Sequence, residues 1–501
     1  MIETPRICMS VAPATRDDLR GLKDSTECAR PDLVEVRLDA IHPCVDATEV
    51  DELVSGFKVP VIATCRTTDQ GGGWTGDETA RAGVLAAACR APEVEFVDVE
   101  LDASVMPALL GQYRDRLVVS HHWLAPAGGD ELRRVVERII EARPAVAKLV
   151  MAIRAAAEAV PLMAAAGQLR AAGIRTAVFG MGEASAGPRL LAASAGDVWT
   201  YARSTETAGT AAGQWSVGRL CDQLQISRWR PEFSRYAVVG DPVRQSLSPT
   251  VFNAAFAVAD RPALYMPLPT SSLADAMALA TAGDFAGLSV TMPFKRAALA
   301  AATTATEAAR CIGAANTLRF KDGTWRAHNT DAEGLDTALR QALDPAGQRV
   351  AVLGAGGAAR AAAVALGQSG ASVTLFARDL ERASIVAAAV GCCAARLADY
   401  ARGMADVVIN ATPLGMASTT ETPIPTASLN GEEVVLDMIY RPRVTRFVRE
   451  ARSRGCLVVD GLEMFLEQAA AQYSWWFGET APDRVMRRAA IEQLDAEEES
   501  S

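Results

Sequence analysis

Eight short apolar runs fall between residues 7 and 203: ICMSVA, LVEVRLD, VIATCR, FVDVEL, RLVVSHH, VAKLVMAI, RTAVFGM and VWTYAR. Most are followed by an alanine-rich stretch of helical character. Strands that alternate with helical segments pair in parallel through crossover connections. Eight such units in about 200 residues predict a closed (β/α)8 barrel, with its functional site at the C-terminal ends of the strands. The chain has 501 residues, so a barrel of that size leaves room for about two further domains.

Composition narrows the function. Lys+Arg total 50 against 60 Asp+Glu, a net charge of −10 without long like-charge runs. Binding to a phosphate backbone needs a basic patch, so nucleic acid is an unlikely partner class. The ten cysteines form no C-x-x-C pair, and no histidine stands at zinc-ligand spacing, so neither a disulfide scaffold nor a metal site is expected. The N-terminal stretch carries Glu3 and lacks a signal-peptide core, and no run of eighteen apolar residues occurs. These features predict a soluble, reduced, cytoplasmic protein with no membrane partner. Four histidines (His42, His121, His122, His328) are the whole pool of imidazoles.

Within Val34–Asp39 the strand period of two puts Glu35, Arg37 and Asp39 on one face. A barrel strand is covered on both sides, so that charged face must point into the lumen, where unpaired charge is costly. Arg66, Glu100 and His122 also lie at or near strand ends. Mutually satisfied ion pairs and a functional site both fit this pattern. Lys148, flanked by apolar residues, either snorkels to the surface or is desolvated into a Schiff-base nucleophile. Strand parity places His122 with Ser120 on the inward face and His121 on the other. A base beside such a lysine would remove a proton alpha to the former carbonyl.

These stretches, with MG…R at Met181–Arg189 and TAAGQ at Thr210–Gln214, resemble type I 3-dehydroquinate dehydratase over nearly the whole first half. The resemblance implies that residues 1–225 form a (β/α)8 barrel, with Lys148 as the imine-forming lysine and His122 as the proton-transferring base. It also implies Ser10, Glu35, Arg37, Arg66, Arg189, Thr210 and Gln214 around the substrate, 3-dehydroquinate. Two positions depart from the family. Gln70 replaces a glutamate that helps position the histidine, and Trp123 replaces an aspartate.

Residues 222–235 are polar and contain Pro231, as a short linker would. Beyond them, Ser246 and Ser248 precede a helical run, and Ser248 before Pro249 suits a helix cap. Arg349–Leu353 reads as a strand, followed by G-A-G-G-A-A (Gly354–Ala359) and an alanine-rich helix. In that context the glycine loop and helix N-terminus accept a pyrophosphate. The next strand ends in Ala377-Arg378-Asp379, with Arg382 one turn on. Arginines there match a 2′-phosphate and favour NADPH over NADH, although Asp379 is adjacent. Lys295 and Asp331 fit either a surface ion pair or a proton relay to a carbonyl oxygen.

The stretches QSLSP, SVTMPFK, IGAANTL, NTDAEG, GAGGAAR, NATPLGM, DMIYRP and DGLEM…QAA resemble shikimate dehydrogenase from Tyr236 to about Phe477. The resemblance implies Lys295 and Asp331 as the catalytic pair, with Ser246, Ser248, Thr291, Asn316, Tyr440 and Gln468 on the substrate. Gly354, Gly356, Gly357, Ala358, Arg378 and Arg382 would contact NADP(H), and Thr412, Met438 and Gly461 would line the nicotinamide. Residues 235–340 would form a substrate-binding domain, 346–460 a Rossmann NADP-binding domain and 461–492 helices packing back on the former. Ser289 stands where many relatives have asparagine, and Glu463 where glycine is common. The implied architecture is α/β, a TIM barrel followed by a two-domain dehydrogenase-like unit. The implied activity is dehydration of 3-dehydroquinate to 3-dehydroshikimate, then reduction to shikimate. The tail DAEEES is expected to be disordered by composition.

Overall fold

Each of the eight apolar runs forms a strand in the computed structural model, which describes residues 4–205, 211–416 and 421–499. The strands are β1 (Arg6–Val11), β2 (Leu33–Arg37), β3 (Val61–Thr64), β4 (Val94–Glu100), β5 (Leu117–Trp123), β6 (Val146–Ala152), β7 (Arg175–Met181) and β8 (Trp199–Arg203). They pair in chain order from β1 to β7, with β8 parallel to β1 on its other side. A bridge between Thr176 and Asp197, with the Val198 N–H donating to the Thr176 carbonyl at 2.8 Å, joins β7 to the entry of β8. The ring therefore closes, as a (β/α)8 barrel requires.

Strand parity fills the lumen in layers. Cys8, Leu33, Ile62, Phe96, Val118, Val146 and Trp199 form a buried apolar cluster toward the N-terminal ends. Two positions further along the same strands come Ser10, Glu35, Thr64, Asp98, Ser120, Lys148 and Tyr201, all buried. The alternate residues Val34, Val36, Val97, Val99, Val119, Leu149 and Val178 are also buried, facing away from the lumen. An apolar plug beneath a polar layer leaves the charged side chains nowhere to go but the C-terminal mouth.

The chain divides into two compact units. The first comprises Met1–Ala237, Pro242–Arg244 and Pro262–Phe285, and the second Val238–Asp241, Gln245–Arg261 and Ala286–Ser501. The stretch expected to be a linker is ordered within the first unit. Leu224, Ile226 and Trp229 are buried, and the Trp229 indole donates to the Leu224 carbonyl at 3.0 Å. Three apolar side chains in a polar run suffice to pin it.

The later strands are β9 (Trp215–Ser216), β10 (Ser234–Gly240), β11 (Ala263–Pro269), β12 (Phe285–Val290), β13 (Thr304–Ala305), β14 (Thr317–Lys321) and β15 (Thr324–His328). β12, β14 and β15 are antiparallel neighbours in that order, and β13 runs parallel to β15. Next come β16 (Arg349–Leu353), β17 (Ser372–Ala377), β18 (Cys393–Arg396), β19 (Val407–Asn410), β20 (Val434–Asp437) and β21 (Leu457–Val459). Their order is β18-β17-β16-β19-β20-β21, all parallel, which is the doubly wound dinucleotide-binding topology. The order reverses between β16 and β19, so the crevice opens beside Gly354. Two apolar clusters contain side chains of its strands, one with Val350, Val352 and Leu366, the other with Ala351, Leu353 and Phe447.

As far as Glu499 the acidic tail is helical rather than disordered. The helix Asp483–Glu499 buries Met486, Ala490 and Leu494, while Arg441 holds Glu497 at 2.7 Å and Arg443 holds Asp495 at 3.1 Å. Composition alone did not show these apolar anchors and arginine partners.

Asp197 tests the barrel seam. Its Oδ1 accepts from Thr176 Oγ1 at 2.7 Å and its Oδ2 from the Val178 N–H at 2.6 Å. Burial pushes its carboxyl up to about 6, against the pull of Arg170 and the hydrogen bonds. The folded value lies above an unfolded value of about 3.9. The protonated form thus adds stability that is complete below pH ~4 and lost as pH rises toward 6. Unfolding midpoints of wild type and Asp197→Asn, compared from pH 4 to 6.5, should show wild type losing about 1–3 kcal/mol relative to the variant. A difference that stays flat over this range would contradict the assignment.

Candidate active sites

Lys148 lies at the centre of the barrel. Its Nζ is buried and donates to Glu35 Oε1 and to Asp98 Oδ2, each at 2.8 Å. Snorkelling is excluded, since the side chain is 3% exposed. The two carboxylates are themselves fixed. Ser10 Oγ donates to Glu35 at 2.7 Å and Thr64 Oγ1 at 3.0 Å, while Ser120 Oγ and Arg66 Nη2 donate to Asp98 at 2.6 and 2.7 Å. Burial alone would raise both acids, but Lys148 and Arg66 outweigh it. Glu35 is brought down to about 2 and Asp98 below the usual carboxylate range. Tyr201 on β8 closes the cluster, with its ring centroid 4.5 Å from the lysine nitrogen.

Asp98 escaped the sequence reading, which stopped at Glu100 on the same face. Glu100 instead accepts from Arg81 at 2.6 Å and from the Thr67 N–H at 3.0 Å, holding the loop after β3. The parity rule applied to the whole of FVDVEL, not only its end, would have found Asp98. Asp39 leaves the strand for a short helical turn and braces Arg37 with a bond of 2.6 Å.

His122 sits one rung beyond Lys148, because Ser120 is the residue paired with Lys148 across β5 and β6. Burial pushes its imidazole well below the ordinary value, and Arg66 and Lys148 add to the effect against Asp98. Both effects favour the uncharged imidazole. His121 faces away, 3.5 Å from Asp102 and edge-on to Trp123. Gln70 is buried, and its Oε1 accepts from the backbone N–H of His122 at 3.1 Å. The amide thus keeps a positioning bond but brings no charge. Trp123 donates to Glu131 at 2.8 Å.

Lys148, Arg66 and Arg37 balance Glu35, Asp98 and Asp39. Arg189 is surplus. It is buried, its Nε donates to Ser185 Oγ at 3.2 Å, its guanidinium lies 4.5 Å from the Phe179 ring, and Nη1 has no partner among the described residues. Burial lowers it to about 10. A buried guanidinium without a carboxylate calls for an anionic ligand group. Gln214 is buried and accepts from the Ala211 N–H at 3.4 Å. Thr210 lies outside the described residues.

The second site centres on another lysine. Lys295 Nζ donates to Asp331 Oδ2 at 2.6 Å, with Lys295 20% and Asp331 9% exposed at the side chain, so this is no solvated surface pair. Asn316 Nδ2 donates to Asp331 Oδ1 at 2.8 Å and lies 3.3 Å from Gln468 Oε1. Gln468 reaches this point because Gly334 lets two helices touch. A Cβ there would sit 2.5 Å from the Gln468 nitrogen. Ser246 Oγ accepts from the Ser248 N–H at 3.2 Å, and Ser248 opens its helix without capping it. The cap expected of Ser248 is thus absent, because Ser246 supplies the local bond. Ser289 donates to Gln472 at 2.6 Å, which in turn donates to Thr317 at 2.6 Å. Thr291 and Tyr440 are half-buried, with the Tyr440 ring against Phe465.

The dinucleotide crevice has the features a pyrophosphate needs. Gly354 has φ +122°, and a Cβ there would meet the Ala411 carbonyl oxygen at 3.0 Å. Gly356 precedes the helix Gly357–Gln368, which contains Ala358 and presents its free N–H groups. Thr412 is tied through its N–H and Oγ1 to Asn410 Oδ1, and Asn410 in turn to Asp437 at 2.9 Å. Gly461 lies so close to Ile439 that a Cβ would be 2.4 Å from its carbonyl oxygen, beside Met438. Arg378 and Arg382 are exposed. Asp379 caps the following helix, its Oδ1 accepting from the Arg382 N–H at 3.0 Å. Glu463 forms a two-bonded pair with Arg487.

A lysine-centred barrel in series with a dinucleotide-binding dehydrogenase defines the class of this protein. Family models agree along the chain: type I 3-dehydroquinase matches residues 7–230, and the shikimate dehydrogenase substrate binding domain residues 238–318. An F420-dependent NADP oxidoreductase model matches 349–440, and the shikimate 5′-dehydrogenase C-terminal domain 461–491. A chloroplastic bifunctional 3-dehydroquinate dehydratase/shikimate dehydrogenase of Arabidopsis thaliana is 31% identical over 503 residues, covering 95% of this chain and 83% of the relative. The NADP(+) shikimate dehydrogenase of Moorella thermoacetica is 40% identical over 277 residues, 52% of this chain and 93% of its own. The shikimate dehydrogenase structure from Aquifex aeolicus is 30% identical with a TM-score of 0.50, covering 52% of this chain and 97% of its own. The chain belongs to the family of bifunctional 3-dehydroquinate dehydratase/shikimate dehydrogenases. Among the described residues no helix is long and apolar enough to cross a membrane.

Gln70 offers a direct test of the histidine. A carboxylate at that position favours the imidazolium and raises the His122 pKa. The variant Gln70→Glu should therefore move the acidic limb of the dehydratase pH–rate profile upward by about one unit. An unmoved limb would show that His122 does not sense position 70.

Proposed function

We propose that the protein converts 3-dehydroquinate to 3-dehydroshikimate in its barrel and reduces that ketone to shikimate with NADPH in its second half. The observation that carries the first step is Lys148, buried between two carboxylates, with His122 two residues beyond its strand partner Ser120 and Arg189 without a carboxylate partner among the described residues. Arg189 takes the substrate carboxylate, and Arg66, Arg37, Ser10 and Gln214 surround the ring. Lys148 Nζ sheds a proton and attacks the ketone, and loss of water gives a protonated imine. His122 removes the adjacent C–H proton, and the imine takes up the electron pair as an enamine. The enamine expels the β-hydroxyl, protonated by His122, as water. Hydrolysis of the imine then releases the enone and restores the amine.

In the second half, Ser246, Ser248, Thr291, Asn316, Tyr440 and Gln468 hold the ring hydroxyls and carboxylate. Lys295, held by Asp331, gives a proton to the carbonyl oxygen. NADPH, when bound along Gly354–Ala358 with Arg378 and Arg382 at its adenosine end, supplies the hydride. Thr412, Met438 and Gly461 shape the wall beside the nicotinamide.

On this reading residues 1–225 are the dehydratase, 235–340 the substrate domain, 346–460 the cofactor domain and 461–492 the returning helices. Small molecules are its partners, with no role for nucleic acid. Ten free cysteines suit a reducing cytoplasm.

Purified protein given 3-dehydroquinate and NADPH should yield shikimate. Lys148→Ala should lose at least about 10³-fold in dehydration while still reducing 3-dehydroshikimate, and Lys295→Ala should show the reverse. Loss of both reactions in either variant, or turnover only of quinate with NAD, would overturn the proposal.

A further inference from the structure

We propose that Arg396, at the end of β18, works with Arg378 to hold the 2′-phosphate of the cofactor and so sets the preference for NADPH over NADH. This rests on the reading of the second half as an NADP(H) dehydrogenase. Arg396 lies outside the sequence stretches that carry the resemblance to shikimate dehydrogenase.

The sheet register makes the pairing. β17 and β18 are parallel neighbours, and Ala377 lies directly opposite Arg396. Arg378 is the next residue after Ala377, so both arginines stand at the C-terminal edge of the sheet, the edge that also carries Gly354. There they line a cavity of about 410 Å³ together with Leu397, Pro423, Ile424 and Pro425. That volume is in the range of small-ligand sites. Its lining is mostly apolar, with aliphatic and proline residues beside Arg378 and Arg396. A flat heteroaromatic base attached to a phosphate is the ligand chemistry that satisfies both.

The charges themselves point the same way. Among the described residues, neither Arg378 nor Arg396 has a hydrogen-bond or carboxylate partner. Some exposed arginines of this half are paired, as Arg340 is with Asp336, Arg349 with Asp406 and Arg446 with Glu450; what sets Arg378 and Arg396 apart is that they line one cavity. The nearest acid in sequence, Asp379, forms no ion pair with Arg378 and gives one oxygen to its helix cap. Arg382, one turn into that helix, is not among the residues lining the cavity. Two like charges at one rim repel unless an anion lies between them, and the planar guanidinium fork matches phosphate oxygens in pairs. The 2′-hydroxyl of NADH offers no charge to either.

The test uses the full-length protein reducing 3-dehydroshikimate with each cofactor. In Arg396→Gln the ratio of KM for NADPH to KM for NADH should rise about tenfold or more, since a charge-assisted phosphate contact is lost. Inhibition by 2′-AMP should weaken by a similar factor relative to inhibition by 5′-AMP, a readout independent of turnover. A ratio and a 2′-AMP inhibition equal to wild type would overturn the assignment of Arg396 alone. So would equal losses with both cofactors, which mark a folding defect rather than a phosphate contact. A wild-type protein without preference for NADPH would overturn the cofactor reading, and this assignment with it.

Discussion

The barrel is organised around a lysine that cannot reach water. Lys148 stands on a layer of apolar side chains, and its nitrogen meets Glu35, Asp98 and the face of Tyr201. Removing one member of such a cluster leaves a buried charge uncompensated, at a cost of about 3–5 kcal/mol. Replacing all of it with apolar side chains is often neutral or stabilising. A cluster of this kind is therefore a poor device for stability and a good one for holding a nucleophile in one place. Ser10, Thr64, Ser120 and Arg66 act on the lysine only through the two acids, so their geometry is set for the carboxylates first.

The second half solves a related problem with less burial. Lys295 remains partly exposed and pairs with one carboxylate, whose other oxygen is held by Asn316. On the proposed function, a proton donor must exchange with solvent between turnovers, whereas burial favours the uncharged form of an imine-forming amine. The difference in burial between the two lysines fits those proposed tasks. Close packing supplies the rest, since Gly334 and Gly461 each allow an approach that a Cβ would block.

Much of this was legible in the sequence. Period-two parity identified the lumenal face of β2 and β5, and the order of apolar runs identified the barrel. The glycine loop between β16 and its helix identified the cofactor crevice. What escaped depended on partners distant in the chain. Asp98 and Glu100 share a face and a strand, yet one meets Lys148 and the other Arg81, and no local rule separates them. Whether Asp379 opposes a phosphate or caps a helix is decided by a single backbone N–H. The acidic tail looked solvated because its arginine partners lie some fifty residues upstream.

The central claim concerns one bond between the Lys148 nitrogen and a substrate carbon. Borohydride added to the protein with 3-dehydroquinate reduces an imine to a stable secondary amine, which peptide mass spectrometry locates. The account predicts a substrate-derived mass on the peptide containing Lys148, absent without substrate and absent from the Lys148→Ala protein. An unmodified Lys148 during active turnover, or a label on another lysine, would contradict it.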